Sequence, residues 1–172
     1  MKLIWGILIM SLLSACSTSI KDYQNEKPAL VLENYLNGKM TAHGLFMDRF
    51  GKVKKRFTVS LDTTWAGNVG TLKEDFDWSD GTKTQRIWTV TKQSDGTYTG
   101  TAADVVGKAI GTTAGNAFHW TYTMDLDVDG SNYKVNFDDW MYLINDKIMI
   151  NKAVMSKFGF TLGEVLITFY RP

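Results

Sequence analysis

The 172-residue chain carries 19 Lys and Arg against 18 Asp and Glu, a formal net charge of +1. So even a balance offers no overall electrostatic footprint for nucleic acid or for a charged membrane surface. The single cysteine excludes a disulfide framework within the domain, so packing must hold it, and 6 Trp, 7 Tyr and 9 Phe are suited to that.

Lys2 opens the chain and is followed by an almost unbroken apolar run, Leu3 to Leu13. That length fits the core of a signal peptide and falls short of the roughly 20 residues that a helical span needs. Leu13-Ser14-Ala15-Cys16 resembles a bacterial lipobox, in which the cysteine thiol is diacylated and the chain is cut before it. Residues 1–15 are therefore read as a cleaved signal peptide and Cys16 as the lipidated N-terminus. Two or more acyl chains anchor stably where one binds marginally, since each buried methylene contributes about 0.8 kcal/mol. Ser17 stands where an Asp retains such proteins in the inner membrane. It implies delivery to the outer membrane, facing the periplasm.

Residues 17–27 are polar and read as a tether, and Pro28–Tyr35 as a short helical or irregular segment. Residues 16–34 thus form the lipidated N-terminus, tether and helical piece, with one domain over 35–172. From Lys39 onward period two dominates. Strands are expected at Met40–Phe50, Lys54–Thr64, Val69–Trp78, Thr84–Thr91, Thr97–Ala102, Lys147–Ala153 and Glu164–Tyr170. The alternation is clearest where Trp120, Tyr122, Met124, Leu126 and Val128 share one face, and it continues past the Asp129-Gly130 turn through Tyr133, Val135 and Phe137. Both prolines, Pro28 and Pro172, lie outside these strands. About nine strands joined mainly by hairpins predict an all-β fold, a single antiparallel up-and-down β-barrel of lipocalin-like type. The glycine-rich stretch Asp104–Ala117 breaks the pattern and reads as a long connection, or as a loop folded against the barrel mouth.

Candidate chemistry is sparse. The chain has two histidines, His43 and His119, and no cluster with zinc-ligand spacing. Asp125, Asp127 and Asp129 stand about 6.6 Å apart along one strand face, too far for one calcium ion, and read as a solvated acidic face. Asp138 and Asp139 are neighbours on a strand and point to opposite faces, which argues against an acid/base pair. Asp139 is in phase with the apolar set, so it is the inward carboxylate. Arg86 or Arg49 are its candidate partners, as a structural clamp or as an anchor for a ligand headgroup.

Asp48-Arg49-Phe50-Gly51, Arg86-Ile87-Trp88, Asp104 to Ala109, Gly115-Asn116-Ala117, Asp138 to Met141 and Lys157-Phe158-Gly159 together resemble a family of bacterial envelope lipoproteins of unknown function. The likeness runs from about Tyr35 to Arg171. It implies a calycin-type barrel and a role with lipid or another apolar small molecule, and it carries over no catalytic residue. The glycine-x-tryptophan motif of true lipocalins is missing from the first strand, where Leu45 and Phe46 follow Gly44.

The candidate ligand contacts are Arg86, Trp88, Asp104, Asn116, His119, Trp120, Asp139 and Trp140, with Cys16 for lipidation. No catalytic residue, metal ligand or cofactor is expected, and the chain is not read as an enzyme. Expected partners are the membrane, through the anchor, and a lipid or apolar small molecule, but not nucleic acid. Two function classes stay open: a carrier with a hollow barrel, and a ligand-free interaction protein with a filled one. An apolar cavity of roughly 300 Å³ or more separates them.

Overall fold

The computed structural model describes residues 18–128 and 130–172. The expected signal peptide, Cys16, Ser17 and Asp129 lie outside the described residues. A 3-10 turn, Ile20–Tyr23, and one helical turn, α1 (Leu32–Tyr35), precede ten strands. These are β1 (Gly38–Asp48), β2 (Val53–Ala66), β3 (Val69–Trp78), β4 (Lys83–Lys92), β5 (Tyr98–Thr101), β6 (Val105–Ala114), β7 (Ala117–Val128), β8 (Ser131–Leu143), β9 (Ile148–Lys157) and β10 (Phe160–Tyr170). Each pairs antiparallel with its sequence neighbours, and β1 pairs with β10 from Thr41↔Tyr170 to Asp48↔Gly163, which closes the barrel. Both edges of every strand are paired within residues 38–170, so closure needs nothing from residues 1–17. The sequence reading of an all-β, up-and-down antiparallel barrel stands, with ten strands rather than about nine.

The extra strand is β6, in the stretch expected to be a loop. Its glycines are structural. Gly107 has φ +73° and marks the register shift between Val106 and Ile110. Gly111 leaves room for aromatic neighbours: a Cβ there would meet the Phe118 ring at 2.6 Å and the Trp120 Cβ at 2.7 Å. Glycine spacing hid the alternation that the backbone nevertheless follows.

Inward residues alternate with outward ones on every long strand, for example Phe57, Val59, Leu61 and Thr63 on β2 and Val135, Phe137, Asp139, Met141 and Leu143 on β8. One end of the barrel is plugged by α1. Leu30, Leu32 and Leu36 are buried in the same core as Leu61, Leu72, Val90, Phe118, Met141 and Phe169. Four polar ties lock the plug. Trp65 Nε1 donates to the Leu36 carbonyl (2.7 Å), Tyr35 OH to the Lys147 carbonyl (3.1 Å), and Tyr98 OH to Glu33 Oε2 (2.7 Å). Lys92 Nζ also pairs with Glu33.

The polar stretch expected as a tether is partly docked. Tyr23 packs on the outer wall against Trp140 and Tyr142, and the Leu30 N–H donates to the Gly115 carbonyl (2.7 Å). An aromatic ring within a polar run gives that segment something to bury.

Candidate functional site

Inside the barrel a polar cluster crosses five strands. Asp139 on β8 is 4% exposed. Its Oδ2 accepts from Trp120 Nε1 (3.0 Å) and Tyr122 OH (3.0 Å), and its Oδ1 from Asn151 Nδ2. Trp120 lies directly across from Asp139 in the β7–β8 register, while Asn151 reaches it from β9. Burial pushes the Asp139 carboxyl up to about 6, even though these three donors favour its ionised form.

The expected partner of Asp139 was Arg86 or Arg49, and neither serves. Arg86, on β4, is taken by Asp104: its Nε (3.0 Å) and Nη2 (2.8 Å) both donate to Asp104 Oδ2. Arg49 sits in the β1–β2 turn, its guanidinium over the Phe50 ring. The inward phase of Asp139 was legible, but its donors are the neutral groups of the adjacent strands, which reach it at ordinary cross-strand range.

Glu74 completes the cluster. It stands directly across from Arg86 in the β3–β4 register and has no hydrogen-bond or ion-pair partner among the described residues. Burial pushes its carboxyl up to about 7, with Arg86 opposing the shift and Asp104 and Asp139 adding to it. The interior thus holds two carboxyls raised by burial, Glu74 and Asp139, with the Arg86–Asp104 pair beside Glu74. Such a cluster can take up protons near neutrality. Among the described residues no three His, Cys, Asp or Glu side chains converge as a cage for a metal ion.

A carboxyl whose pKa is raised on folding binds its proton more tightly in the folded state. It therefore contributes stability that is full below its ordinary value and lost as pH rises through the raised one. For Glu74 that window runs from about 4.5 to about 7, and for Asp139 from about 3.8 to about 6. Urea midpoints should fall between pH 5 and pH 8, and Glu74→Gln should flatten the upper part of that fall. A midpoint that rises with pH would contradict this placement of the two acids.

The candidate contacts read from the sequence fall in three places. Arg86, Trp88, Trp120 and Asp139 line the interior, with Asp104 joined to them through Arg86; Trp88 and Trp120 pack at 4.7 Å between ring centroids. His119 and Trp140 lie on the outer wall instead, stacked at 4.1 Å, with His119 Nε2 2.8 Å from Asp138 Oδ1 and Tyr23 against Trp140. Asn116 is in the β6–β7 turn at the plugged end, its Nδ2 donating to the Leu143 carbonyl (3.2 Å). The eight do not form one site. Glu74, Tyr122 and Asn151 were missed. Their signal was available, because each is a polar residue in phase with the inward set of its own strand.

Little space remains beneath the plug. The cavity between the plug and Glu74 measures about 30 Å³ and is lined by Leu32, Leu36, Leu72, Trp88, Phe118 and Trp120 among others. A larger depression of about 490 Å³ lies on the outer wall, where His43, Leu45, Arg56, Thr58, Leu166 and Thr168 come together across β10, β1 and β2.

No curated protein matches the chain. The model of a family described as "Protein of unknown function (DUF3833)" matches residues 10–171, nearly the whole sequence, and the chain belongs to that family.

Proposed function

We propose that this protein is a lipid-anchored component of the bacterial envelope whose barrel is a filled scaffold, working through its outer surface rather than as a hollow carrier. One observation carries the choice. The cavity beneath the plug, about 30 Å³, is room for about one water molecule, whereas ligand pockets begin at roughly 300 Å³. Aromatic and methionine side chains that could have lined a pocket instead fill the core, as they do in small barrels packed by their own residues. The anchor rests on Leu13-Ser14-Ala15-Cys16 and on Ser17, with the outer membrane, periplasmic side, as the destination.

Native mass spectrometry of the full chain, expressed in a bacterial host and extracted from its membranes, tests both parts. A covalent mass increment of two or three acyl chains is expected, absent in Cys16→Ala, with no further mass released by organic solvent. An unmodified wild-type Cys16 would remove the anchor. A non-covalent lipid held by the folded domain would restore the carrier.

A further inference from the structure

The two ends of the barrel differ in chemistry. At the plugged end the turns are mostly polar, Gly67-Asn68, Ser94-Asp95-Gly96, Gly115-Asn116 and Asn145-Asp146, and the exposed apolar side chains Val31, Val69 and Ile144 are aliphatic and stand apart in the sequence. At the far rim, β1–β2 and β9–β10 are neighbouring hairpins, since β1 and β10 pair down to Asp48↔Gly163. Their tips carry Phe50, Phe158 and Phe160, exposed to 81%, 86% and 73%, with Val53 and Leu162 beside them. Large apolar side chains grouped this way on two adjacent tips are unlike the isolated exposed residues of an ordinary surface.

The same two tips are basic. Residues 48–56 include Arg49, Lys52, Lys54, Lys55 and Arg56 against Asp48 alone, and β9 ends at Lys157. Lys55 pairs with Asp80, and Asp48 accepts from the N–H groups of Phe50 and Lys52 within its own turn. The other cations have no carboxylate partner among the described residues. The Lys157 ammonium lies over the rings of Tyr133 and Phe158. The neighbouring rim hairpins carry the acidic residues Asp77, Asp80, Asp125 and Asp127, so the excess of cations is confined to these two tips.

Phe158 gives a second, independent observation. It has φ +51°, the only non-glycine residue at positive φ among the described residues. The two-residue Phe158-Gly159 turn demands positive φ at both positions, where Asn, Asp or Gly is usual, so a phenylalanine there carries strain that those residues would avoid. Here the turn holds a phenyl ring out in solvent rather than turning it onto the barrel.

From these features we infer that the rim formed by the β1–β2 and β9–β10 hairpins docks on an anionic lipid bilayer, the phenyl rings entering the interface and the cations meeting the headgroups. Aromatic rings and Lys or Arg side chains are the groups that settle at that boundary. Charge decides the occupant. A second copy of the same patch would bring its cations against these, whereas an anionic bilayer complements both the cations and the rings. The inference rests on reading the outer surface as the working surface, but its attachment is separate from any anchor at Cys16.

The test uses a chain that starts at Thr18, whose barrel closes without the preceding residues. It is sedimented with neutral phosphatidylcholine vesicles and with vesicles containing about one-third phosphatidylglycerol. Binding to the anionic vesicles is expected, at least about tenfold weaker to neutral ones and weakened by salt. Phe50→Ser/Phe158→Ser should lower it by about tenfold or more with an unchanged melting midpoint, because both rings are exposed. Lys52→Glu/Lys54→Glu should lower it on anionic vesicles alone. A wild-type chain that stays in the supernatant with both vesicle types overturns the inference, as does a phenylalanine double variant that binds like wild type. Neither result bears on the acyl mass at Cys16 or on ligand content.

Discussion

Asp139→Ala should destabilise the barrel by about 3–5 kcal/mol, lowering the urea midpoint by roughly 2 M. The carboxylate is the common acceptor for Trp120 Nε1, Tyr122 OH and Asn151 Nδ2, donors from two strands other than its own. Truncation takes this acceptor from Trp120 Nε1, Tyr122 OH and one Asn151 N–H, while the other Asn151 N–H keeps the Trp140 carbonyl (3.1 Å), and each unpaired buried donor costs about 1–3 kcal/mol. Relief from burying an acid offsets part of this, because ionising Asp139 is itself disfavoured at neutral pH. Asp139→Asn keeps the shape but turns an amide N–H₂ toward a set of donors, so it should recover only part of the loss. Urea titrations of the two variants and wild type at pH 7 check the order. An alanine variant within about 1 kcal/mol of wild type (roughly the contribution of one net hydrogen bond) would show that the three donors find other acceptors.

Gly111→Val should be nearly as damaging, at about 3 kcal/mol, the upper end for overpacking. A Cβ at that position meets the Phe118 ring at 2.6–2.7 Å and the Trp120 Cβ at 2.7 Å. The ring could swing, but the Trp120 Cβ is fixed to its backbone, so β6 must move away from β7. That movement breaks the Gly111↔Trp120 register and disturbs the aromatic cluster of Trp88, Phe118 and Trp120. Near-UV circular dichroism and the melting midpoint report the two effects separately. A folded variant with an unaltered aromatic spectrum would mean that the strand is not in contact with those rings.

Gly111 also explains what the sequence conceals. Where side chains alternate plainly, as from Trp120 to Leu126 or from Tyr133 to Phe137, strand, face and hairpin can be read directly. Where the barrel needs an absent side chain, as at Gly100 and Gly111 beneath Trp88, Phe118 and Trp120, the pattern shows a gap, and the stretch around Gly111 reads as a loop. The inward phase of Asp139 is readable because period two is local. Its partners are not, because they depend on the register between strands, which the residues of one strand do not contain. The same limit applies to His119 and Trp140. Both are in outward phase on their strands, and it is the N-terminal segment, docked through Tyr23, that covers Trp140. Glu74 could have been found, since it interrupts the inward series Leu72, Phe76 and Trp78 on β3.

The seam between β1 and β10 sets the order in which this molecule can be made. It joins residues 41–48 to residues 163–170, and the plug reaches equally far, from Tyr35 to the carbonyl of Lys147. A chain emerging from its N-terminus produces the plug first; its ties to Trp65, Lys92 and Tyr98 can form once β2–β5 are out, but the tie to Lys147 and the seam wait for the chain beyond residue 146. Up to that moment the second edge of β1 is unpaired, and Leu30, Leu32 and Leu36 are covered only in part, without Phe169. Contacts so distant along the chain make for slow closure. The open form is also the one most prone to pair with other chains, so it needs shielding until Tyr170 is in place.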